Sequence, residues 1–160
     1  MEYNGVVFTE EMIWTMVFVA IISYTVRAFY CYNLKKTLIH VSEENRCMQP
    51  NMVWLALIPL FSIYWNFVIA SRMADSLTNE FYDRKIPEEE DPGKKTGITY
   101  SILIALASIP FFQAFAVVTA LMSLVYFIKY WIKINGFRML LKEHNHFLAL
   151  KKEQQEHETI

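Results

Sequence analysis

The chain has 160 residues, of which 54% are hydrophobic and 16% aromatic, and its formal net charge at pH 7 is −1. This length is expected for a single domain, and the near-neutral charge excludes the concentrated basic face on which nucleic-acid binding depends. Because the two cysteines, Cys31 and Cys47, have no C-x-x-C spacing, neither a disulfide framework nor a zinc site is expected.

The first long apolar block covers residues 12–34 and contains one charge, Arg27. It is long enough to cross the hydrocarbon core of a bilayer, which is about 30 Å thick. No Lys or Arg precedes it, whereas a secretory signal begins with a positive region, so we predict a retained anchor. Arg27 is expected to snorkel to the interface; the alternative is a functional contact with a polar partner inside the bundle.

The second apolar block, residues 52–70, has no charged residue and fits one crossing. Pro59 lies inside it and leaves a backbone carbonyl that needs another partner. Asn66 is its one strongly polar side chain. The expected role of Asn66 is a hydrogen bond to a neighbouring helix, and the alternative is a contact with a substrate or an ion.

Beyond this block, apolar residues recur at every fourth position: Ile69, Met73, Leu77 and Phe81. This period predicts an amphipathic helical extension over 69–82. We expect its apolar face to lie along a partner helix or in the headgroup layer. The acidic run over 88–91 and the Pro-Gly-Lys-Lys that follows lack the spaced ligands of a calcium loop, so they are interpreted as a solvated linker.

The third apolar block, from Thr96 to Ile128, contains no Asp, Glu, Lys or Arg. As one straight helix it would be about 50 Å long, well over the thickness of a bilayer core. Pro110 lies near its middle, so we predict a helical hairpin with spans over 96–111 and 113–134; one tilted, Pro-kinked helix is the alternative. Gln113 reaches an interface in the hairpin, but in a single helix it would need a polar partner.

Aromatic residues interleaved with Lys129 and Lys133 indicate a headgroup boundary at the end of the last span. Gly136 is a candidate break or bend in the helix. A second amphipathic extension is predicted over 137–150, with His144 on its apolar stripe. The sequence His144-Asn145-His146 is not a metal-ligand spacing for a helix, so packing or solvation is the expected role of these histidines.

These blocks predict an all-α, polytopic membrane protein: an antiparallel four-helix transmembrane bundle with amphipathic cytoplasmic extensions, in one membrane domain over residues 1–160. Four spans put eleven of the fifteen Lys and Arg on one side and four on the other. By the positive-inside rule, this asymmetry makes both termini cytoplasmic. Three spans would divide the same residues ten to five, which is a weaker bias.

Two segments rich in aromatic residues resemble a known group of proteins. They are Pro59-Leu60-Phe61-Ser62-Ile63-Tyr64-Trp65, continuing through Arg72 to Leu77, and Tyr130-Trp131-Ile132-Lys133-Ile134. Over residues 52–141 the chain resembles small four-span bacterial integral membrane proteins of domain-of-unknown-function families. The resemblance implies a bacterial inner-membrane location, and it supplies no activity or functional residues.

No catalytic or phosphate-binding motif occurs: H-E-x-x-H, G-x-S-x-G and a Gly-rich loop are all absent, and no cofactor or metal is expected. We therefore predict a non-catalytic bundle that binds a partner membrane protein or organises a complex, in contact with the lipid bilayer and a membrane-protein partner or homo-oligomer, and not with nucleic acid. A small oligomeric channel or transporter is the alternative. For that alternative, Arg27, Asn66 and Gln113 are the candidate intramembrane polar or pore residues.

Overall fold

The computed structural model describes residues 2–3, 6–7, 9–87, 90–109 and 115–158. Within these residues the chain forms four α-helices, so the predicted helical class is confirmed. The helices are α1 (Glu10–His40), α2 (Phe61–Asp83), α3 (Lys94–Ala107) and α4 (Ala116–Glu158). Short 3₁₀ helices cover Glu43–Asn45 and Pro50–Leu57, and β1 (Glu2–Tyr3) pairs antiparallel with β2 (Val6–Val7).

The start of α1 is defined by its capping residue. The Thr9 hydroxyl accepts a hydrogen bond from the backbone N–H of Met12 at 3.3 Å, and Glu10 and Glu11 occupy the first turn. Both features stabilise the positive end of the helix dipole. The helix then runs for 31 residues, which is about 46 Å and longer than a bilayer core.

Among the residues that the structure describes, two helices are long and apolar enough to cross a membrane: α1, and the part of α4 over Val117–Gln155. The most apolar stretch of α1 has a mean hydropathy of 1.7 with 0% of its residues buried, and that of α4 has 1.5 with 17% buried. A core helix of a soluble protein would be mostly buried. These two helices therefore carry apolar surface that the described part of the chain does not cover.

The segment 52–70, predicted as one continuous span, is instead broken into two helices. The 3₁₀ helix ends at Leu57, Ile58 is extended, and Leu60 has a φ of +63° before α2 begins at Phe61. The reason is Pro59, which disfavours helical angles at the residue before it. Leu60 forms the tip of the resulting turn and is 84% exposed.

The chain from the end of α1 to this turn runs back alongside α1 and α2. Its contacts include a hydrogen bond from the Cys31 thiol to the carbonyl of Val53 at 3.4 Å and one from the indole N–H of Trp65 to the carbonyl of Met52 at 2.8 Å. The return therefore takes no α-helix, and α1 and α2 begin at the same end of the bundle.

As a consequence, α1 and α4 lie parallel, and the predicted antiparallel packing is wrong for this pair. The ring centroids of Tyr30 and Phe127 are 5.0 Å apart, and further toward the C-terminal ends of both helices the amide of Asn33 donates to the side chain of Asn135 at 3.2 Å. Only α3 runs the other way among the four described α-helices, with Tyr100 5.4 Å from Phe127.

The antiparallel packing of α3 and α4 is the arrangement of a hairpin. Its turn was predicted near Ser108–Gln113, of which residues 110–113 lie outside the described residues. Gly97 lets α3 approach its neighbours, because a Cβ there would lie 2.7 Å from that of Ala70 and 2.8 Å from the ring of Tyr130. Gly136 neither ends nor interrupts α4, which continues through it.

The core contains the apolar stripe predicted over 69–82. Ile69, Met73 and Leu77 are each 0% exposed, and they pack in one cluster with residues of α4 that include Phe137. The predicted period is therefore correct, but the stripe is covered by other helices of the same chain. A partner helix or the headgroup layer is not needed to bury it.

Candidate functional site

The three predicted polar residues do not form one site in the described structure. Arg27 is half-buried and lines a cavity of about 610 Å³ between α1, α3 and α4. Asn66 is buried in α2 and is not among the residues lining that cavity. Neither side chain makes a hydrogen bond to another described residue, and Gln113 lies outside the described residues.

A buried carboxylate, Glu80 of α2, is the centre of a polar network that sequence reasoning missed. Glu80 is 0% exposed. One carboxylate oxygen accepts from the backbone N–H of Ser42 at 2.9 Å and from the Asn45 amide at 2.8 Å. The other oxygen accepts from the Ser42 hydroxyl at 3.0 Å and from Nε of Arg84 at 2.7 Å.

Arg84 extends this network to the other two long helices. Its Nη2 donates to the last carbonyl of α1, at His40, at 3.2 Å, and its Nη1 donates to the Asn145 side chain of α4 at 2.6 Å. Burial by itself raises the pKa of the Glu80 carboxyl, but hydrogen bonds from Asn45, Ser42 and Arg84 outweigh burial, so the pKa is lowered. The carboxylate thus stays charged, and together with Arg84 it links the C-terminal ends of α1 and α2 to Asn145 of α4.

A second polar feature is a cationic cleft on the outer side of the seam between α1 and α4. It has a volume of about 640 Å³. Its lining residues are Tyr32, Lys36 and His40 from α1, and Arg138, Met139, Lys142, Glu143 and His146 from α4. The basic residues are spaced by four along each helix, so each set forms a stripe on one helix face.

The two stripes face each other because α1 and α4 are parallel. Their positive charges therefore repel each other across the cleft. Burial lowers the pKa of His40 from its usual 6.5, and four neighbouring cations lower it further: Arg138, Lys142, Lys36 and Arg84. Lys36 is partly accommodated by the ring of Tyr32, whose centroid is 5.4 Å from its ammonium nitrogen. The cleft is therefore a place where positive charges accumulate.

Below the cationic cleft, toward the N-terminal ends of α1 and α4, the same seam contains a pair of asparagines. The Oδ1 atom of Asn135 accepts from Arg138 at 2.5 Å and from the amide of Asn33 at 3.2 Å. Asn33 is 8% exposed, and its own Oδ1 has no hydrogen-bond donor among the described residues. The two asparagines line a cavity of about 300 Å³ with Ile128, Trp131 and Ile132.

The described residues contain no group of three or more His, Cys, Asp or Glu side chains that could hold a metal ion. His144 lies 3.3 Å from Arg84 in the buried network, whereas His146 lines the cationic cleft, so the two histidines serve different sites.

The sequence does contain a signal for the cleft, namely the four-residue spacing of Lys36 with His40 and of Arg138 with Lys142. The two stripes face each other because α1 and α4 pack in parallel. This parallel packing was not predicted from the sequence. No protein-family model, no curated protein and no solved structure matches this chain.

Proposed function

We propose that the chain is a non-catalytic integral membrane protein of the bacterial inner membrane, in which α1 and α4 cross in the same direction and α3 returns between them. The expected topology, which had four antiparallel spans and both termini in the cytoplasm, is replaced by this one. The proposed arrangement is supported by the exposed apolar surface of α1 and α4 and by the turn at Leu60, which leaves no continuous helix over 52–70.

The distribution of basic residues supports the same orientation. All fifteen Lys and Arg fall within residues 27–95 and 129–152, and none falls within 1–26 or 96–128. The first 17 residues of α1, the first 11 of α2 and the first 13 of α4 contain no Lys or Arg. With these three helices pointing the same way, the basic residues lie away from their N-terminal ends. By the positive-inside rule, the end with the basic residues faces the cytoplasm and the N-terminal end of α1 faces the opposite side.

The function we propose is to bind a partner membrane protein or a second copy of the chain, and so to organise a complex. The observation that supports this function is that the C-terminal end of α4 carries exposed apolar side chains. This helix continues from Asn145, its contact with Arg84, to Glu158, and along that length Phe147, Leu148 and Leu150 are 61%, 42% and 46% exposed. Apolar side chains on a helix that projects past its own bundle fit a helix-packing partner.

The mass of the purified protein tests this function. In mild detergent, we expect a complex larger than the 18.9 kDa chain, measured by light scattering after size exclusion. Phe147→Ser with Leu148→Ser is expected to lower that mass, whereas Val117→Ser with Val118→Ser, at the opposite end of α4, is the matched control. A monomer in every detergent, with no membrane protein cross-linked in cells, would contradict the proposal.

A small channel or transporter is the second candidate, and one observation favours it. Arg27 lines the cavity of about 610 Å³ between α1, α3 and α4, together with Ser23 and Ser123. A half-buried cation that lines a cavity inside a membrane bundle is a common feature of ion pathways. Flux of anions through liposomes that contain the protein, lost in Arg27→Leu, would support this function; no flux in the parent protein excludes it.

A further inference from the structure

The facing stripes on α1 and α4 leave positive charge that the cleft itself does not neutralise. Among the described lining residues, Glu143 is the one carboxylate, against Lys36, Arg138 and Lys142 and two histidines. Like charges placed at neighbouring positions destabilise a fold unless an opposite charge lies between them. The described ion pairs of the chain join other residues and include none of the three cations of the cleft.

We propose that this cleft binds the phosphate of an acidic phospholipid headgroup. Lys36, Arg138 and Lys142 supply three charged donors on two helices. Arg138 in addition presents the planar fork that binds two phosphate oxygens together. Basic pockets between membrane helices on the cytoplasmic side are a known chemical setting for anionic headgroups.

The asparagine pair suggests which group the rest of the headgroup should carry, namely a hydrogen-bond donor. Asn33 is more than nine-tenths buried, its Oδ1 has no hydrogen-bond donor among the described residues, and the residue lines the smaller cavity next to the cleft. A buried carbonyl oxygen without a donor costs free energy until a hydroxyl or amine reaches it. A phosphoglycerol headgroup carries both the phosphate for the cationic cleft and hydroxyl groups for Asn33.

The walls of the smaller cavity favour a lipid over a soluble phosphate compound. Ile128 and Ile132 line it and are 47% and 67% exposed. They lie on the side of the seam that leads toward the apolar ends of α1 and α4. An acyl chain can follow this surface while its phosphate stays among the cations, whereas a soluble anion gains nothing from the apolar wall.

The test is a titration of the detergent-solubilised protein with short-chain phosphatidylglycerol at about 0.15 M salt, with phosphatidylcholine as the neutral lipid and bound lipid counted by native mass spectrometry. Each Lys or Arg near an anionic group is worth about fivefold in affinity. Arg138→Gln with Lys142→Gln should therefore weaken phosphatidylglycerol binding by about 25-fold, and Lys151→Gln with Lys152→Gln, which removes the same charge further along α4, by less than twofold.

Equal affinity of the two double variants would overturn the proposal. If the cleft variant loses helix content, Lys36→Gln on α1 replaces it, with an expected loss of about fivefold. Inorganic phosphate is the second probe: retention of lipid in tenfold excess phosphate supports the lipid ligand, and full displacement assigns the cleft to a soluble anion and overturns it. The assay rests on the membrane location proposed above, but its outcome does not depend on whether the end of α4 binds a partner.

Discussion

Glu80 carries a charge in the interior of the bundle, and five hydrogen-bond donors from three residues compensate for the lost hydration. A buried ion pair adds little stability compared with a well-packed apolar pair. Removing one partner of the pair, however, destabilises the fold strongly, because the other charge is left buried. The pair with Arg84 also fixes direction, because Arg84 binds the end of α1 and a side chain of α4 at the same time.

Replacing Glu80 by Ala should therefore destabilise the protein by about 3–5 kcal/mol, since Arg84, whose side chain is 13% exposed, is left without its carboxylate partner. The measurement is the free energy of unfolding in mixed detergent micelles. Glu43→Ala is the matched control: the carboxylate of Glu43 also pairs with an arginine, at 3.5 Å, but its side chain is 90% exposed, so we expect a loss below about 1 kcal/mol. Similar losses in the two variants would contradict the central role of Glu80.

His40 should make the stability depend on pH. Its pKa is lower in the folded protein than the usual 6.5, because of burial and the cations Arg138, Lys142, Lys36 and Arg84. The unfolded chain therefore binds more protons, and stability should fall as the pH drops from about 6.5 toward the lowered pKa. His40→Gln should remove that part of the slope, measured as the free energy of unfolding from pH 7 to pH 5. An unchanged slope would show that another group carries it.

At the scale of elements, the sequence specifies local periods well and helix partners poorly. The four-residue period of Ile69, Met73 and Leu77 predicted which face of α2 would be apolar, and those residues are buried. The sequence did not show what buries them, because that depends on contacts between residues far apart in the chain.

Pro59 gives a second example of the same limit. Its position within an uncharged block fitted one crossing, yet the chain turns there and returns without an α-helix. The preference for an extended residue before proline is local, but whether it makes a kink or a turn is decided by the packing of Trp65 and Met52 across the return. The cationic cleft depends on that turn, because the turn makes α1 and α4 parallel.

Gly97 is the element-scale position where one methyl group should matter. Its Cβ would meet Ala70 and the ring of Tyr130 at under 3.0 Å, so Gly97→Ala should push α3 from α2 and α4 and cost about 1–3 kcal/mol. Gly136→Ala is the control, because no atom lies within 4 Å of its Cβ, and alanine there should stabilise α4 by about 0.5–1 kcal/mol. The midpoints of thermal unfolding compare them, and a harmless Gly97→Ala would contradict the close packing.

Viewed whole, the molecule has one apolar end and one polar end. The apolar end contains the exposed side chains of the first halves of α1 and α4, and the polar end contains the Glu80 network, the cationic cleft and the end of α4. This polarity gives a membrane orientation that span counting could not provide. Counting apolar blocks assumed that each block crosses, whereas the 52–70 block turns back at Leu60.

Three single cysteines, placed in a chain with Cys31→Ala and Cys47→Ala, test this orientation: Thr9→Cys, Glu43→Cys and Glu153→Cys. We expect a membrane-impermeant maleimide to label Thr9→Cys in spheroplasts, and to label the other two only after the membrane is opened. The reason is that Glu43 and Glu153 lie toward the C-terminal ends of two parallel helices, with the basic residues, while Thr9 caps the opposite end. Four antiparallel spans give a different result, in which Thr9→Cys and Glu153→Cys share one side and Glu43→Cys lies on the other. That pattern would refute the parallel crossing of α1 and α4.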